Sequence, residues 1–158
     1  PRASSREEAS AFARQVHDRG GTVVFTNGVF DLLHPGHVRY LREARQLGDA
    51  LIIGVNADRS VRANKGPSRP INRAEERVEI LLAMGFVDAV VVFDEETPLA
   101  IITEMQPDVL VKGADWGHDD IVGRDVVEGR GGQVVRLELA KGFSTTNLIG
   151  KMRPLASS

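Results

Sequence analysis

The chain has 158 residues, of which 42% are hydrophobic and 27% charged, and its formal net charge at pH 7 is -2. This size and balance predict a single folded domain over residues 1–158. Because no strong basic field surrounds such a chain, we do not expect nucleic acid as its partner. The absence of cysteine excludes disulfides, thiolate catalysis and cysteine-ligated metals.

The first residues are polar and include Glu7 and Glu8, and no apolar run approaches the roughly 20 residues that span a bilayer. This pattern predicts neither a signal peptide nor a membrane anchor, so we expect a cytoplasmic protein with no membrane partner. Residues 1–20 are predicted to contain the first helix. Residues 154–158 are predicted to form a flexible tail.

Five short apolar runs rich in Val and Ile alternate with longer amphipathic stretches. Their nearly continuous hydrophobicity is typical of strands that are buried on both faces of a parallel sheet. The runs are residues 22–26, 50–55, 89–93, 109–111 and 133–137. The alternation predicts a doubly wound, Rossmann-like α/β fold, with a five-stranded parallel sheet and helices on both faces.

The stretches between these runs carry signals for helix starts. Residues 38–47 are amphipathic and follow the first strand. Asn72 and Glu75 are spaced as an N-cap and its capping-box partner. Thr97-Pro98 predicts a helix with Pro in its first turn. Ser144-Thr145 predicts the start of the last helix.

Polar or glycine-rich residues follow each predicted strand. Ligands of open parallel sheets bind outside the carboxyl ends of the strands, near the point where strand order reverses. These residues therefore indicate a ligand site at that edge. They are Asn27-Gly28, Asn56 to Asp58, Asp94-Glu95, Lys112 to Asp115 and Lys141 to Thr146.

The segment from Asn27 to His37 combines a strand end, a glycine and a helix start. Gly28 allows a ligand to approach the backbone closely. Gly36 and His37 begin a helix whose unpaired N–H groups and dipole favour phosphate. His34 and His37 lie within one turn, so we expect both to face that phosphate and to stabilise charge on a transferring phosphoryl group.

Two histidines three residues apart also occur often by chance at structural or surface positions, and the surrounding segment is what favours a function. A zinc pair is the competing functional interpretation. No cysteine or suitably spaced carboxylate completes a ligand set, so no protein-held metal is predicted.

The run Gly28-Val-Phe-Asp-Leu-Leu-His34-Pro-Gly-His37 resembles the HxGH signature of the cytidylyltransferase-like nucleotidyltransferases. The resemblance extends from about Thr22 to Met152, and the GxGxxG fingerprint of dinucleotide-binding proteins is absent. The family's second motif, a Ser-Thr-Thr at a late helix start, is matched by residues 144–146. The residues that would bind nucleotide on this resemblance are Asn27, Gly28, Val29, Phe30, Gly36, Arg77, Lys112, Gly113, Asp115, Ser144, Thr145 and Thr146.

Longer blocks at residues 26–31, 55–58, 65–70, 107–113 and 143–149 resemble the adenylyltransferases that form ADP-heptose. The resemblance implies transfer of AMP from ATP to D-glycero-β-D-manno-heptose 1-phosphate, giving ADP-heptose and pyrophosphate. ADP-heptose supplies the lipopolysaccharide inner core or related surface glycans. Such an activity occurs as a separate protein or as the C-terminal part of a bifunctional kinase–adenylyltransferase, and relatives commonly form homodimers or larger assemblies.

Three basic residues are candidates for phosphate contacts. Lys65, in the predicted loop Asn64 to Pro70, is expected to close over the triphosphate, with a solvated loop lysine as the alternative. Arg69 lies in the same loop, with even support for substrate contact. The resemblance implies that Arg77 contacts phosphate; the alternative is a surface ion pair with Glu76 or Glu79.

Lys112 ends a buried strand, which is unusual unless it faces a site. An adenine is expected to lie against the backbone from Lys112 to Asp115, and Trp116 is read either as packing or as a stacking platform. The Ser144 to Thr146 hydroxyls and amides either cap a helix or bind the β- and γ-phosphates.

Several polar residues are assigned with less support. Asn56 and Asp58 either cap the following helix or touch the ligand. Asp31 is expected to fix its loop through its own backbone amides or to bind substrate. His17 and His118 have no motif around them and are read as surface residues.

The mechanism expected is direct in-line displacement, in which the acceptor phosphate attacks the α-phosphorus of ATP. His34 and His37 would hold the α-phosphate, and Lys65 with residues 144–146 the leaving pyrophosphate. Mg²⁺ is expected, mostly on substrate oxygens and water. The alternatives are a cytidylyltransferase acting on glycerol 3-phosphate or another polyol phosphate, and a nucleotide-binding sensor without catalysis.

Overall fold

A six-stranded parallel sheet forms the centre of the computed structural model, which describes residues 3–139 and 148–152. Its strands are Ala3–Ser4 (β1), Val23–Gly28 (β2), Ala50–Asn56 (β3), Ala89–Phe93 (β4), Val109–Gly113 (β5) and Gln133–Leu137 (β6). They are ordered β1-β4-β3-β2-β5-β6, and every neighbouring pair is parallel. The five predicted strands are confirmed. The two-residue β1 was not predicted, because it is too short to carry a periodic signal.

Helices connect the strands along the described ranges. They are Arg6–Asp18 (α1), Pro35–Arg45 (α2), Asp58–Lys65 (α3), Ala74–Leu82 (α4), Leu99–Met105 (α5) and Arg124–Gly129 (α6), with a 3₁₀ turn at His118–Asp120. Residues 148–152 are also helical. The predicted helix start at Ser144-Thr145 and the predicted tail at 154–158 lie outside the described residues. Within the described ranges, no helix has the length and apolar character to cross a membrane.

Helix α4 starts one residue later than predicted. Its N-cap is Arg73, whose backbone N–H donates to Glu76 Oε1 at 3.0 Å. The predicted cap, Asn72, instead donates its side-chain amide to the carbonyl oxygen of Asp31 at 3.1 Å. Asn72 therefore belongs to a contact between loops, which no local sequence rule could reveal. Pro98 is likewise the N-cap of α5 and not a residue of its first turn.

Alternate residues of the central strands enter two separate hydrophobic cores. Phe25 and Ile52 pack on the side of α1, α5 and α6, whereas Val24 and Ile53 pack on the side of α2 and α4. All four side chains are fully buried. A strand that is buried on both faces requires the continuous apolar run seen in the sequence. The helices therefore cover both faces, as the doubly wound arrangement predicts.

The strand order reverses between β2 and β5. From β2 the chain crosses outward to β3 and then to β4, while β5 and β6 are added on the other side of β2. The carboxyl ends of β2 and β5 therefore flank the crevice in which open α/β sheets bind their ligands.

Candidate active site

The loop between β2 and α2 is shaped by one close ring contact. Phe30 has a φ of +51°, in the left-handed region. Its ring lies against Gly28, where an added Cβ would sit 3.0 Å from Phe30 Cε2. A larger residue at position 28 would displace the ring. Helix α2 then begins at Pro35, in a position where no backbone N–H is required.

The His34 and His37 rings are stacked, with centroids 3.9 Å apart and planes at 28°. The edge of Phe30 meets His37 at 5.7 Å. The backbone N–H of His34 donates to Nδ1 of His37 at 3.3 Å. A neutral imidazole that accepts at Nδ1 carries its proton on Nε2, so His37 has an Nε2–H available as a donor.

Burial favours the neutral form of both imidazoles. It lowers the pKa of His37 to about 4, and the neighbouring charge of a protonated His34 acts in the same direction. Burial also lowers the pKa of His34. His37 can therefore offer a hydrogen bond to phosphate without carrying a permanent charge.

Two cavities, of about 260 and 190 Å³, adjoin at the carboxyl edge of the sheet. Asn27, Val29, Lys112 and Trp116 line both of them. The larger cavity is also lined by polar side chains, namely Asn56, Ser60, Asn64, Lys65, Glu96 and Thr97. The smaller cavity is also lined by Gly28, Phe30, His37, Tyr40, Gly113 and Asp115. One ligand in each cavity would meet the other at the shared residues.

The junction of the two cavities holds an acceptor and a cation. Among the described residues, Asn27 Oδ1 is buried and has no hydrogen-bond partner. Burial lowers the pKa of Lys112, and the nearby carboxylate of Asp115 opposes that shift. Lys112 Nζ lies 5.1 Å from the centroid of the Trp116 ring. A buried polar atom without a partner and a partly desolvated lysine are groups that a polar ligand would satisfy.

The structure brings ten of the predicted site residues into the walls of these cavities. They are Asn27, Gly28, Val29, Phe30, His37, Asn56, Lys65, Lys112, Gly113 and Asp115. Lys65 was expected within a loop, but it is the last residue of α3 and Gly66 follows it with a φ of +96°.

Other predicted residues lie elsewhere. His34 is buried and lines a separate groove with Arg39 and Arg42, so only its stacked partner His37 reaches the smaller cavity. Gly36 is buried in the first turn of α2. Ser144, Thr145 and Thr146 lie outside the described residues.

Asp31 is 1% exposed, and its carboxylate is hydrogen-bonded to residues of another loop. Its carboxylate accepts the backbone N–H groups of Ile71 and Asn72, each at 2.8 Å, and Nε of Arg69 at 3.0 Å. The expectation that Asp31 binds its own backbone amides is therefore wrong. Asp31 and Arg69 are paired with each other, and neither lines the two cavities at the carboxyl edge of the sheet.

Arg77 is fully buried, which contradicts the surface ion-pair alternative. It donates from Nη1 to the carbonyl oxygen of Val29 at 2.7 Å, from Nε to that of Asn72 at 3.0 Å and from Nη2 to Asp58 Oδ1 at 2.7 Å. Asp58 Oδ1 also accepts the N–H of Ala74. Arg77 and Asp58 therefore hold protein segments together and line neither cavity.

Sequence reasoning missed several residues of the walls. Glu96 and Thr97 follow β4, one and two positions beyond the polar pair Asp94-Glu95 that was noted there. Ser60 and Tyr40 come from α3 and α2, and the Tyr40 hydroxyl lies 2.9 Å from Thr26 Oγ1. Burial raises the pKa of Tyr40 to about 12. The rule about strand ends would have found Glu96 and Thr97, whereas helix residues are found only once the helices are packed.

His17 and His118 have carboxylate partners. His17 Nε2 lies 2.9 Å from Asp108 Oδ2, and its side chain is only 23% exposed, so the surface interpretation is wrong for it. His118 is 43% exposed and contacts Glu128 at 3.0 Å. Among the described residues, no three His, Asp or Glu side chains are grouped as metal ligands.

A family model for cytidylyltransferase-like proteins matches residues 25–151. The chain belongs to the cytidylyltransferase-like family. This membership confirms the resemblance of the HxGH segment and the prediction of a nucleotidyltransferase. The bifunctional protein HldE of Syntrophotalea carbinolica is 55% identical over 134 residues, which cover 85% of this chain and 27% of the relative. The chain thus spans about a quarter of that relative's length.

Solved structures agree with the fold. The lipopolysaccharide core biosynthesis protein from Thermoplasma volcanium is 30% identical, with a TM-score of 0.66 over 77% of this chain and all of that one. Pantothenate synthetase from Thermus thermophilus is 19% identical, with a TM-score of 0.61 over 94% of this chain and 67% of that one. The second likeness concerns the fold alone.

Proposed function

We propose that the chain transfers AMP from ATP to D-glycero-β-D-manno-heptose 1-phosphate and releases pyrophosphate. The observation that carries the proposal is the pair of adjoining cavities that share Asn27 and Lys112. A transfer between two substrates needs both reacting groups held at one point, which removes the entropic cost of bringing them together. The adjoining cavities provide a compartment for each substrate and a common wall.

The nucleotide is assigned to the smaller cavity and the sugar phosphate to the larger. The smaller cavity contains His37, which suits the α-phosphate, and Gly113 with the adjacent Asp115 carboxylate, which suit the base. The larger cavity contains neutral polar groups and Glu96, which suit the hydroxyls of a sugar, together with Lys65 for its phosphate. Lys112 lines both cavities, which suits a contact with the α-phosphate.

The reaction is an in-line displacement at the α-phosphorus. An oxygen of the sugar phosphate forms a bond to this phosphorus, while the bond from the α-phosphorus to the bridging oxygen of pyrophosphate breaks. A phosphate monoester is already a competent nucleophile, so no covalent enzyme intermediate is needed. His37 donates from Nε2 to the α-phosphate, His34 supports it by stacking, and Lys112 and Lys65 offset the negative charge. ATP is taken to enter as its magnesium complex, with the ion on phosphate oxygens and water.

The relatives support heptose over other acceptors. HldE proteins from several bacteria are 48–55% identical to this chain, and the related solved structure is named for lipopolysaccharide core biosynthesis. Identity of this extent over most of the chain does not favour the cytidylyltransferase acting on a polyol phosphate. The retained HxGH segment and the lined cavities do not favour a sensor without catalysis.

We further propose that the chain works together with a sugar kinase. The HldE relatives carry the name "bifunctional protein", and this chain matches only 27% of one and 32% of another. A kinase that forms the sugar 1-phosphate fits the remaining length. We also propose a homodimer or larger homo-oligomer, which light scattering coupled to size-exclusion chromatography would test.

The reaction is tested by pyrophosphate release. The protein is incubated with ATP or CTP and with heptose 1-phosphate or glycerol 3-phosphate, and we expect release only with ATP and heptose 1-phosphate. His37→Ala is expected to lower kcat about a hundred- to thousand-fold, as for the loss of one preorganised donor. His118→Ala, at an exposed histidine outside both cavities, is the matched control and should retain the rate. Release with CTP, tight ATP binding without release on any acceptor, or full activity of folded His37→Ala would each contradict the proposal.

A further inference from the structure

Two buried charged residues fasten the segment after Lys65 to the loop after β2. Asp31 binds Arg69, Ile71 and Asn72, while the Asn72 side-chain amide donates to the carbonyl oxygen of Asp31 at 3.1 Å. Arg77 joins the carbonyl oxygens of Val29 and Asn72. We refer to Asp31, Arg69, Asn72 and Arg77 as the brace.

The brace also reaches the start of α3. Nη2 of Arg77 donates to Asp58 Oδ1 at 2.7 Å, and Asp58 is the first residue of the helix that ends with Lys65. The first residue of α3 and the segment that follows α3 are therefore both held to the loop between β2 and α2, the helix that carries His37. Lys65 itself is exposed and lines the larger cavity.

We infer that Asp31 is a positioning residue, which acts by holding Lys65 at a fixed distance from the loop of His34 and His37. The inference rests on the proposed function, because it gives Lys65 a phosphate to meet. A buried carboxylate with two amide donors and an arginine is strongly retained in one geometry. The position of an exposed lysine on a short helix is fixed only by the segments on either side of that helix. Asp31 thus acts without touching substrate.

Asp31→Asn tests the inference with little change of shape. The amide nitrogen of the new residue has to face at least one of the N–H groups that the carboxylate accepts, so the segment at 69–72 is loosened. We expect kcat/KM to fall about 10- to 100-fold, the loss that follows from displacing a substrate-binding group by about 1 Å. In a Lys65→Ala background the same substitution should cost less than about twofold, because the positioned group is already gone.

Asp88→Asn is the matched control. Asp88 also accepts a backbone N–H, from Leu51 at 2.8 Å, and also faces an arginine, Arg45 at 3.2 Å, but it precedes β4 at the opposite edge of the sheet. Asp88→Asn is expected to change kcat/KM by less than about twofold, both in the wild type and in the Lys65→Ala variant. If Asp31→Asn does not fold, Asn72→Ala takes its place in the comparison with and without Lys65→Ala. This substitution removes only the 3.1 Å bond from the Asn72 side chain to the carbonyl oxygen of Asp31.

Amide hydrogen exchange gives a measurement that is independent of turnover. The Ile71 and Asn72 amides should exchange faster in Asp31→Asn than in the wild type. In Asp88→Asn their exchange rates should equal those of the wild type. An equal loss of kcat/KM with and without Lys65, or unchanged exchange at both amides, would overturn the inference. If the wild type transferred no AMP, the proposed function would fail, whereas the exchange result would still decide whether Asp31 holds the segment.

Discussion

The tautomer of His37 is set by a backbone group. The His34 N–H points at Nδ1 of His37, at 3.3 Å. Protonating Nδ1 would place two hydrogens against each other, and burial removes the water that would solvate the charge. Both effects favour the neutral ring with its proton on Nε2, consistent with the lowered pKa. A donor of fixed tautomer needs no rearrangement when negative charge develops on a phosphate.

The lowered pKa of His37 predicts a stability that depends on pH. The folded pKa of about 4 lies below the ordinary histidine pKa of 6.5, so below pH 6.5 the unfolded chain binds a proton that the folded chain does not. This part of the stability is therefore complete above pH 6.5, is lost as the pH falls and levels off below about pH 4. We expect a loss of about 1–2 kcal/mol, since solvent still reaches part of the ring.

Urea denaturation of the wild type and of His37→Gln at about pH 7 and about pH 4.5 measures this contribution. Carboxylates titrate in the same range, but they are common to both proteins and cancel in the comparison. The wild type should lose more stability on acidification than the variant. Equal losses would contradict the lowered pKa.

At the scale of elements, Arg77 fastens α4 to the loop after β2. Replacing it by Met would remove the donors to the Val29 and Asn72 carbonyls and would leave the Asp58 carboxylate with the Ala74 N–H but without its positive partner. Breaking a buried ion pair by removing one member typically destabilises by about 3–5 kcal/mol, and we expect a loss of that size for Arg77→Met. Urea denaturation at neutral pH is the measurement.

Arg73→Ala is the control for Arg77→Met. Arg73 lies on the same helix boundary and pairs with Glu76 at 3.3 Å, but its side chain is 75% exposed. Exposed pairs contribute at most about 1 kcal/mol. If the two variants lost similar stability, the buried guanidinium would not have the structural role assigned to it.

Elements were predictable where one local signal dominated. The continuous apolar runs identified β2 to β6, because strands buried on both faces need such residues along their whole length. β1 was missed, since Ala3 and Ser4 pair with β4 through backbone groups that any residue supplies. The cap of α4 was misplaced by one residue because Asn72 had a partner far away in sequence, at Asp31.

The candidate site was predictable to the extent that it lies at strand ends. The position of Asn27, Asn56 and Lys112 follows from the rule for open sheets, and the structure brings all three to the cavities. Burial could not be predicted, so the sequence did not show that the charges of Asp31 and Arg77 are paired within the protein. Asp31 pairs with Arg69, 38 residues away, and Arg77 binds the carbonyl oxygen of Val29, 48 residues away, separations that are beyond the reach of any local pattern.

For the whole molecule, the two cores on opposite faces of one sheet predict that adjacent residues of a central strand contribute similarly to stability. Ile52 and Ile53 are adjacent in β3, and both are 0% exposed. Their side chains point into different cores, one against α1, α5 and α6 and the other against α2 and α4. A sheet with one solvent-exposed face would tolerate one of the two substitutions.

Ile52→Ala and Ile53→Ala should therefore both destabilise the protein, each by about 2–5 kcal/mol. Val92→Ala provides the contrast, because Val92 is in the neighbouring strand β4 but is 40% exposed, and its loss should stay near 0.5 kcal/mol. Urea denaturation of the three variants gives the comparison. If one isoleucine variant behaved like Val92→Ala, the helices on that face would not form a packed core. The strand ends that line the site would then rest on a single layer of helices.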